Sequence, residues 1–243
     1  MLRRVQEDGT YTTTYDGLEA YDLGGVDCPK CNNTGHIEYE KNGIWYSREC
    51  ECMGVRRSMR RLKHSGMEDM LKRYTFDNYQ TPDDRRKKIK EVALRFLSGD
   101  RGWFYIFGRS GSGKTHICSA LCNEFMKKDK EVYYMSWRDE STALKGMITD
   151  SETYSEKVRK LKTVPVLYID DFFKDGCSEA DLRLAFEIIN ARYNDEAKRT
   201  IISSEWGIEW VMDKDEATGS RIYERSKGYV IAAPNENWRL RDE

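Results

Sequence analysis

The sequence predicts an α/β fold in which a parallel sheet carries helices on both faces, with a small cysteine-bounded unit ahead of it. Beyond Gly102, strand-like apolar runs alternate with amphipathic helical stretches, which is typical of parallel sheets with right-handed crossovers. A glycine-rich phosphate loop joins the first of these strands to the helix that follows it. Four closely spaced cysteines near the N-terminus predict the separate unit.

The apolar runs that predict the strands of the sheet follow one another along the second half of the chain. They are residues 103–107, 132–135, 164–169, 200–202 and 229–232. Helical spacing of apolar residues lies between them and also precedes the first strand, after Pro82. Because little chain follows the last run, we expect the sheet to have no C-terminal helical lid.

The composition favours one full-sized domain and a small accessory unit. The 243 residues are 39% hydrophobic and 34% charged, which argues against long disordered segments. Lys and Arg number 41 and Asp and Glu number 42, so the net charge of −1 gives no general attraction to nucleic acids. No apolar run approaches a membrane span, and the first residues lack the apolar core of a secretory signal. We therefore expect a cytoplasmic protein with no membrane partner.

The N-terminal part of the chain predicts an arm, a compact unit and a basic helix. Residues 1–25 are polar without clear periodicity, and residues 26–53 contain the clustered cysteines. Residues 55–63 include five basic residues among nine, with apolar residues at helical spacing. This basic helix is expected either to contact nucleic acid or to be a solvated tether. We expect these parts to form residues 1–68 and the α/β domain to form residues 69–243.

A complete G-x-x-x-x-G-K-[ST] motif follows the first strand and opens a helix, the context that gives the motif its meaning. Its residues are Gly108, Arg109, Ser110, Gly111, Ser112, Gly113, Lys114 and Thr115. The glycines let backbone N–H groups converge on phosphate oxygens at the positive end of the helix. We expect Lys114 to reach the β- and γ-phosphates of ATP, and the Thr115 hydroxyl to ligate Mg²⁺.

Paired aspartates, Asp170 and Asp171, end the buried strand predicted at residues 164–169. Ligands of open α/β sheets bind at the carboxyl ends of the strands, where these carboxylates would lie. We expect Asp170 to hold the hydration shell of Mg²⁺ and Asp171 to polarise the attacking water. The phosphate loop and this strand together predict an ATP-hydrolysing site.

The spacing Cys28-x2-Cys31, followed after a longer interval by Cys50-x-Cys52, supplies four thiolates, the number that a closed tetrahedral zinc site requires. Two strand-like runs between the pairs predict a hairpin that brings the pairs together. So small a unit has too little core to fold alone, and structural zinc contributes about 10–16 kcal/mol in comparable units. His36 could take the place of one cysteine.

Several further segments resemble the AAA+ ATPases of the DnaC/DnaI helicase-loader group, to which the transposition helper IstB is related. The resemblance covers roughly residues 70–241, and the cysteine unit resembles the zinc-binding domain of DnaI-type and phage loaders. The segments that carry it are Tyr-Thr-Phe-Asp-Asn-Tyr at 74–79, Phe172, Phe-Glu-Ile-Ile-Asn-Ala-Arg-Tyr at 186–193, Thr-Ile-Ile-Ser-Ser at 200–204 and Gly-Ser-Arg-Ile-Tyr-Glu-Arg at 219–225.

The resemblance implies further site residues. Ser204 falls at the γ-phosphate sensor, and Arg221 falls on the arginine-finger helix, with Arg225 one turn on as the alternative. An arginine supplied by a neighbouring subunit neutralises charge in phosphoryl transfer, so the active form would be a homo-oligomer with shared ATP sites. Two positions depart from the family pattern: Glu205 stands where Asn is often found, and Asp171 stands where many related ATPases carry Glu.

The function that the resemblance implies is ATP-dependent loading of a replicative, DnaB-type helicase onto single-stranded DNA during replication initiation, with slow ATP hydrolysis. The expected partners are the hexameric helicase, single-stranded DNA and further copies of the chain, and the expected cofactors are ATP, Mg²⁺ and Zn²⁺. One alternative is an IstB-like ATPase that assists a transposase. Another is a nucleotide-switched adaptor that hydrolyses little ATP.

Overall fold

The chain divides by its internal contacts into two units, Met1–Cys50 and Glu51–Glu243. Its computed structural model describes residues 4–5, 11–12, 28–64, 70, 73–147, 150–174 and 176–240, with the side chains of 4–5, 11–12, 61–64 and 239 left aside. None of the helices within these ranges is long and apolar enough to cross a membrane.

The first unit contains two antiparallel pairs of strands. β1 (Arg4–Val5) pairs with β2 (Tyr11–Thr12) in the predicted arm, most of which lies outside the described residues. β3 (His36–Lys41) pairs with β4 (Ile44–Glu49) in the predicted hairpin. The hairpin turns at Asn42 and Gly43 with φ of 56° and 73°, the left-handed pair that Asn-Gly favours in two-residue turns.

The second unit contains the sheet and its helices, in the alternation that the sequence predicts. The strands are β5 (Trp103–Phe107), β6 (Val132–Ser136), β7 (Val166–Phe172), β8 (Arg199–Ser204) and β9 (Val230–Ala232). The helices are α1 (Cys52–His64), α2 (Asp84–Ser98), α3 (Lys114–Lys127), α4 (Trp137–Gly146), α5 (Ser151–Thr163), α6 (Glu179–Tyr193), α7 (Ile208–Lys214) and α8 (Glu216–Arg225), with a 3-10 turn at Trp238–Leu240.

The strands are all parallel and lie in the order β6-β7-β8-β5-β9. Each of the runs predicted from apolar residues forms a strand, and the predicted α/β fold is confirmed. The order places β5, which leads into the phosphate loop, beside β8 and one strand away from β7, which carries the paired aspartates. The carboxyl ends of these strands therefore meet at one edge.

Side chains alternate across the sheet and bury it from both sides. On one face, Trp103 and Tyr105 of β5 belong to a core that includes apolar residues of α4, α5, α6 and α8. On the other face, Phe104 contacts Phe96 of α2, with ring centroids 5.7 Å apart. The sheet is thus the middle of three layers, and its rigidity fixes the positions of the loops at its carboxyl edge.

The basic helix α1 packs on the edge strand β6. The Ser58 hydroxyl donates to the Gly54 carbonyl at 2.9 Å and accepts the backbone N–H of Val132 at 2.9 Å. Arg56 is 3% exposed, and Arg57 pairs with Glu131 at 3.4 Å. The helix is therefore not a solvated tether, and the contacts place it with the sheet rather than with the N-terminal part, where the boundary at residue 68 put it.

A buried arginine joins the amino ends of two sheet strands to the helices around them. Arg192 is 0% exposed and donates to Thr200 Oγ1 and to the carbonyl oxygens of Leu161, Val164 and Arg199 at 2.7–3.0 Å. Burial lowers the pKa of its guanidinium to about 9. The hydrogen bonds compensate for its removal from water and satisfy carbonyls at the end of α5.

Replacing Arg192 with Met is expected to destabilise the second unit by about 3–5 kcal/mol, because several buried acceptors lose their donors at once. The matched control is Arg183→Met on the same helix, whose side chain is 77% exposed and forms an ion pair with Glu179, itself exposed. That change should alter stability by less than about 0.5 kcal/mol. Urea unfolding followed by circular dichroism measures both, and equal effects of the two changes would contradict this role for Arg192.

Candidate nucleotide and metal sites

The phosphate loop connects β5 to α3 and depends on three glycines with left-handed backbone. Gly108, Gly111 and Gly113 have φ of 145°, 76° and 91°, which residues with a Cβ rarely adopt. α3 begins at Lys114, so the loop lies at the amino end of that helix. Ser112 Oγ is buried without a hydrogen-bond partner among the described residues. An orphaned buried hydroxyl in this loop fits a phosphate-binding role.

A cavity of about 270 Å³ opens beside this loop. The loop residues Ser110 to Thr115 line one side of it, together with His116 and the acidic residue Asp171. The residues that line the rest are Tyr74, Asn78, Tyr79, Gln80, Arg86, Lys174 and Trp238. The cavity therefore combines the phosphate loop and charged side chains with three aromatic rings, which suits a ligand with a phosphate chain and a flat ring system.

Lys114 is the central cation of the site. Its side chain is buried, and its ammonium donates to the carbonyls of Gly108 at 2.7 Å and Arg109 at 3.0 Å. Burial lowers the pKa of Lys114, and the negative charges of Asp171, Glu205 and, more weakly, Asp170 oppose that shift. Phosphate oxygens could replace the two carbonyls as acceptors with little movement of the side chain.

Asp170 is held by three hydroxyl groups. The Tyr168 hydroxyl donates to one carboxylate oxygen at 2.6 Å, Ser203 donates to the same oxygen, and Tyr134 donates to the other at 3.0 Å. Burial raises the pKa of both tyrosines, and the negative charge of Asp170 raises it further. Both tyrosines therefore stay protonated as donors. With both oxygens engaged, Asp170 fits the role of holding a hydrated Mg²⁺ through water.

Asp171 follows at a break in the strand. The pairing of β7 with β8 shifts register between Ile169 and Phe172, and Asp171 has a φ of 53°. Its backbone N–H donates to Ser203 Oγ at 3.1 Å, and its carboxylate pairs with Lys174 at 2.6 Å. The turned backbone places a second carboxylate toward the cavity, beside the first.

Ser204 lies away from this group. It is 0% exposed, and its hydroxyl donates to the Phe172 carbonyl at 2.8 Å and accepts the Trp206 backbone N–H at 3.0 Å. Ser203, one position earlier, is the β8 residue that contacts Asp170 and Asp171. In this arrangement Ser204 stabilises the turn after β8, and its role as a γ-phosphate sensor stays a prediction.

The two candidate finger arginines on α8 have different surroundings. Arg225 donates from Nε to the Tyr193 carbonyl at 3.1 Å and pairs with Glu196 at 3.3 Å, so it ties α8 to the end of α6. Arg221 donates to the carbonyl of Ala217 in its own helix, and its guanidinium lies 5.3 Å from the Phe186 ring centroid. Its Nε is buried without a partner among the described atoms. Neither arginine lines the cavity of its own chain.

The four N-terminal cysteines come together as predicted. Cys28, Cys31, Cys50 and Cys52 are buried, and their sulfur atoms all lie within 4.8 Å of one another. The Cys28 and Cys50 sulfurs are 3.8 Å apart, the separation of about 3.8 Å that tetrahedral Zn²⁺ imposes with Zn–S bonds near 2.3 Å. His36 is exposed and is not part of the group. The donor set fits structural zinc.

Comparison with known protein families decides where the chain belongs. The family model that describes IstB-like ATP binding proteins matches residues 45–242. The chain belongs to this family. The predicted resemblance is confirmed, because the family's relatives include helicase loaders with the same fold.

Three relatives show how far the likeness of this IstB-like protein extends. The uncharacterized protein YqaM of Bacillus subtilis (strain 168) is 30% identical over 211 residues, which are 80% of this chain and 66% of YqaM. The replicative helicase loader DnaC of Escherichia coli (strain K12) is 26% identical over 149 residues, 60% of each protein. A crystal structure of the DnaC helicase loader matches 68% of this chain and 99% of its own, with a TM-score of 0.59 and 22% identity, which shows a shared fold.

Reasoning from the sequence of this IstB-like protein missed several residues of the site. Tyr168 precedes Asp170 by two positions, and the period of two along a strand places both on one face, so the sequence did contain that signal. Ser203 had no such signal, because its contacts with Asp170 and Asp171 depend on the pairing of β8 with β7. Tyr134 and Lys174 had none, because their contacts depend on the pairing of β6 with β7 and on the turn after β7.

One Zn²⁺ per chain is expected in protein purified without added metal, because four buried thiolates lie at tetrahedral spacing. Cys50→Ser should release the metal and unfold the cysteine-bounded unit while leaving nucleotide binding largely intact. Cys177→Ser is the matched control, since Cys177 lies outside the cluster and is only partly buried. Elemental analysis of the three proteins provides the measurement; less than about half an equivalent in the unaltered protein would count against the site.

Proposed function

We propose that this protein is an ATP-dependent loader that places a replicative, DnaB-type helicase on single-stranded DNA during replication initiation. The observation that carries the proposal is the grouping of Lys114, Asp170 and Asp171 at the carboxyl edge of an AAA+ sheet. Membership of the IstB-like ATP-binding family and 26% identity to the loader DnaC support the same function.

The proposed reaction is slow hydrolysis of ATP to ADP and phosphate. The nucleotide's phosphates would lie along the loop from Gly108 to Thr115, where the amino end of α3 and the Lys114 ammonium offset their charge. Thr115 and Asp170 would hold Mg²⁺, the latter through water. When bound, Mg²⁺ neutralises charge that develops on the transferring phosphoryl group.

Asp171 would orient and polarise the attacking water. Its carboxylate accepts a hydrogen bond from Lys174 at 2.6 Å, so the group that would contact the water is engaged by a cation. Lys174 would therefore have to release Asp171, or turn toward the γ-phosphate, before hydrolysis. This requirement agrees with slow turnover, and it keeps the nucleotide-switched adaptor as the second candidate function.

Arg221 is the better of the two arginines for action on a neighbouring subunit. Arg225 is committed to the Tyr193 carbonyl and to Glu196, whereas Arg221 rests on an aromatic ring and retains an unpartnered Nε within the described structure. Because Arg221 does not line the cavity of its own chain, it is better placed to act on the nucleotide of a second copy. The active form proposed here is a homo-oligomer with shared sites.

The helicase would bind through the zinc unit and single-stranded DNA through the assembled ATPase domains. The cysteine cluster also favours the loader over the transposase helper, because IstB-type helpers generally lack such a unit. The name of the family, by contrast, favours the transposase helper. The partner that the protein binds, helicase or transposase, distinguishes the two functions.

Mixing two inactive variants tests the shared site. Lys114→Ala is expected to abolish ATP binding or turnover, and Arg221→Ala to keep ATP affinity while losing most hydrolysis. A mixed interface joins an intact phosphate loop to an intact Arg221, so partial activity should return. Phosphate release is the measurement. The same mixture made with Arg225→Ala is the control, and no recovery in mixed assemblies would show that Arg221 does not act between subunits.

Full-length protein is expected to co-purify with the replicative helicase of the same source, and deletion of residues 1–50 should abolish that complex. The deletion ends before α1 because that helix packs on β6, so nucleotide binding should persist. A pull-down against the helicase, with a transposase from the same source in parallel, gives the measurement. Binding of the transposase alone would replace the loader with the helper, and binding of neither would contradict both.

A further inference from the structure

The last described residues run along the phosphate loop. After β9, the Ala233 backbone N–H donates to the Phe107 carbonyl at 2.7 Å, and the Trp238 N–H donates to the Gly111 carbonyl at 2.9 Å. A Cβ at position 111 would collide with the side chain of Asn237. Residues 233–240, the covering segment, are thus fitted to the loop from Gly108 to Gly111.

The covering segment leaves the phosphate-binding function of the loop available. Its bond at Gly111 uses a carbonyl oxygen, whereas phosphates bind to N–H groups of such loops. The segment therefore forms a wall of the site, and its backbone bond at Gly111 does not use a phosphate donor. This observation argues against an inhibitory plug and for a wall that a bound nucleotide would contact.

Trp238 is the residue of this segment that faces the cavity. Its half-buried ring lines the 270 Å³ cavity together with Tyr74 and Tyr79. The guanidinium of Arg86 lies 4.6 Å from the ring centroid of Trp238. Arg86 is itself 4% exposed and pairs with Asp83 and, at 3.5 Å, with Glu236 of the covering segment. The ring is thus held by a buried, anchored cation that also lines the cavity.

The charges at this end of the cavity select the uncharged part of a nucleotide. Asp83 and Glu236 pair with Arg86, and their carboxylates would repel a phosphate placed there. Aromatic rings with neutral surroundings are what a nucleobase stacks on. The phosphate chain belongs at Lys114, the buried cation of the loop.

We propose that Trp238 is a binding residue for the base of a purine nucleoside triphosphate, and that Arg86, tied to Glu236, is the positioning residue for its ring. The proposal rests on the proposed ATP site and adds to it a wall supplied by the covering segment. Stacking of one base on an aromatic side chain corresponds to about 5- to 150-fold in affinity.

Isothermal titration of the full-length protein with MgATP and, separately, with inorganic tripolyphosphate and Mg²⁺ tests the proposal. Trp238→Ala should weaken ATP binding at least about fivefold and change tripolyphosphate binding less than about twofold, since only ATP carries a base. Trp238→Phe should keep most of the ATP affinity. Trp45→Ala is the matched control, because Trp45 is 67% exposed on β4, and it should change neither.

The outcomes separate this proposal from the ATP site on which it rests. Unchanged ATP affinity in Trp238→Ala, or equal weakening of ATP and tripolyphosphate, would overturn the base contact and leave the ATP site standing. No ATP binding by the unaltered protein would overturn both. A second readout is tryptophan fluorescence: ATP should quench emission in the unaltered protein, and Trp238→Phe should lose that change.

Discussion

The end of β7 is the constraint on which the site depends. Asp171 and Phe173 both adopt left-handed backbone, with φ of 53° and 57°, at a cost of about 1–3 kcal/mol each for residues other than glycine. The rings of Phe172 and Phe173 are 0% exposed and lie 4.8 and 5.2 Å from the ring of Trp137. Burial of these rings in the core offsets the strain, and the turned backbone brings two consecutive carboxylates to one side.

The site uses neutral donors for one carboxylate and a cation for the other. Tyrosine and serine hydroxyls fix Asp170 without cancelling its charge, so the residue can still attract a hydrated divalent cation. Lys174 forms an ion pair with Asp171, so the second carboxylate is engaged by a cation instead. Lys114, buried between the loop and these groups, loses hydration but gains the attraction of their charges. The Lys114 ammonium bonds to loop carbonyls, and Asp171 pairs with Lys174. Phosphate oxygens would compete for these two cations.

Much of the fold could be predicted because its signals are local. The strand runs, the phosphate loop and the hairpin between the cysteine pairs are each encoded by a few consecutive residues, and each formed where its pattern predicted. The serine that contacts Asp170 could not be assigned in this way. Whether Ser203 or Ser204 contacts Asp170 depends on the pairing of β8 with β7, whose register shifts near Phe172, and a change of one residue reverses the face of a strand.

The sequence by itself determined the sheet, the glycine-rich loop before α3 and the gathering of four cysteines, because these follow from spacing along the chain. Tertiary structure alone decided which tyrosines hold Asp170, that α1 packs on β6, and that residues 233–240 lie on the phosphate loop. Those contacts join elements far apart in the sequence, and the strand order brings them together. Local patterns do not specify strand order, because it results from packing the helices on both faces of the sheet.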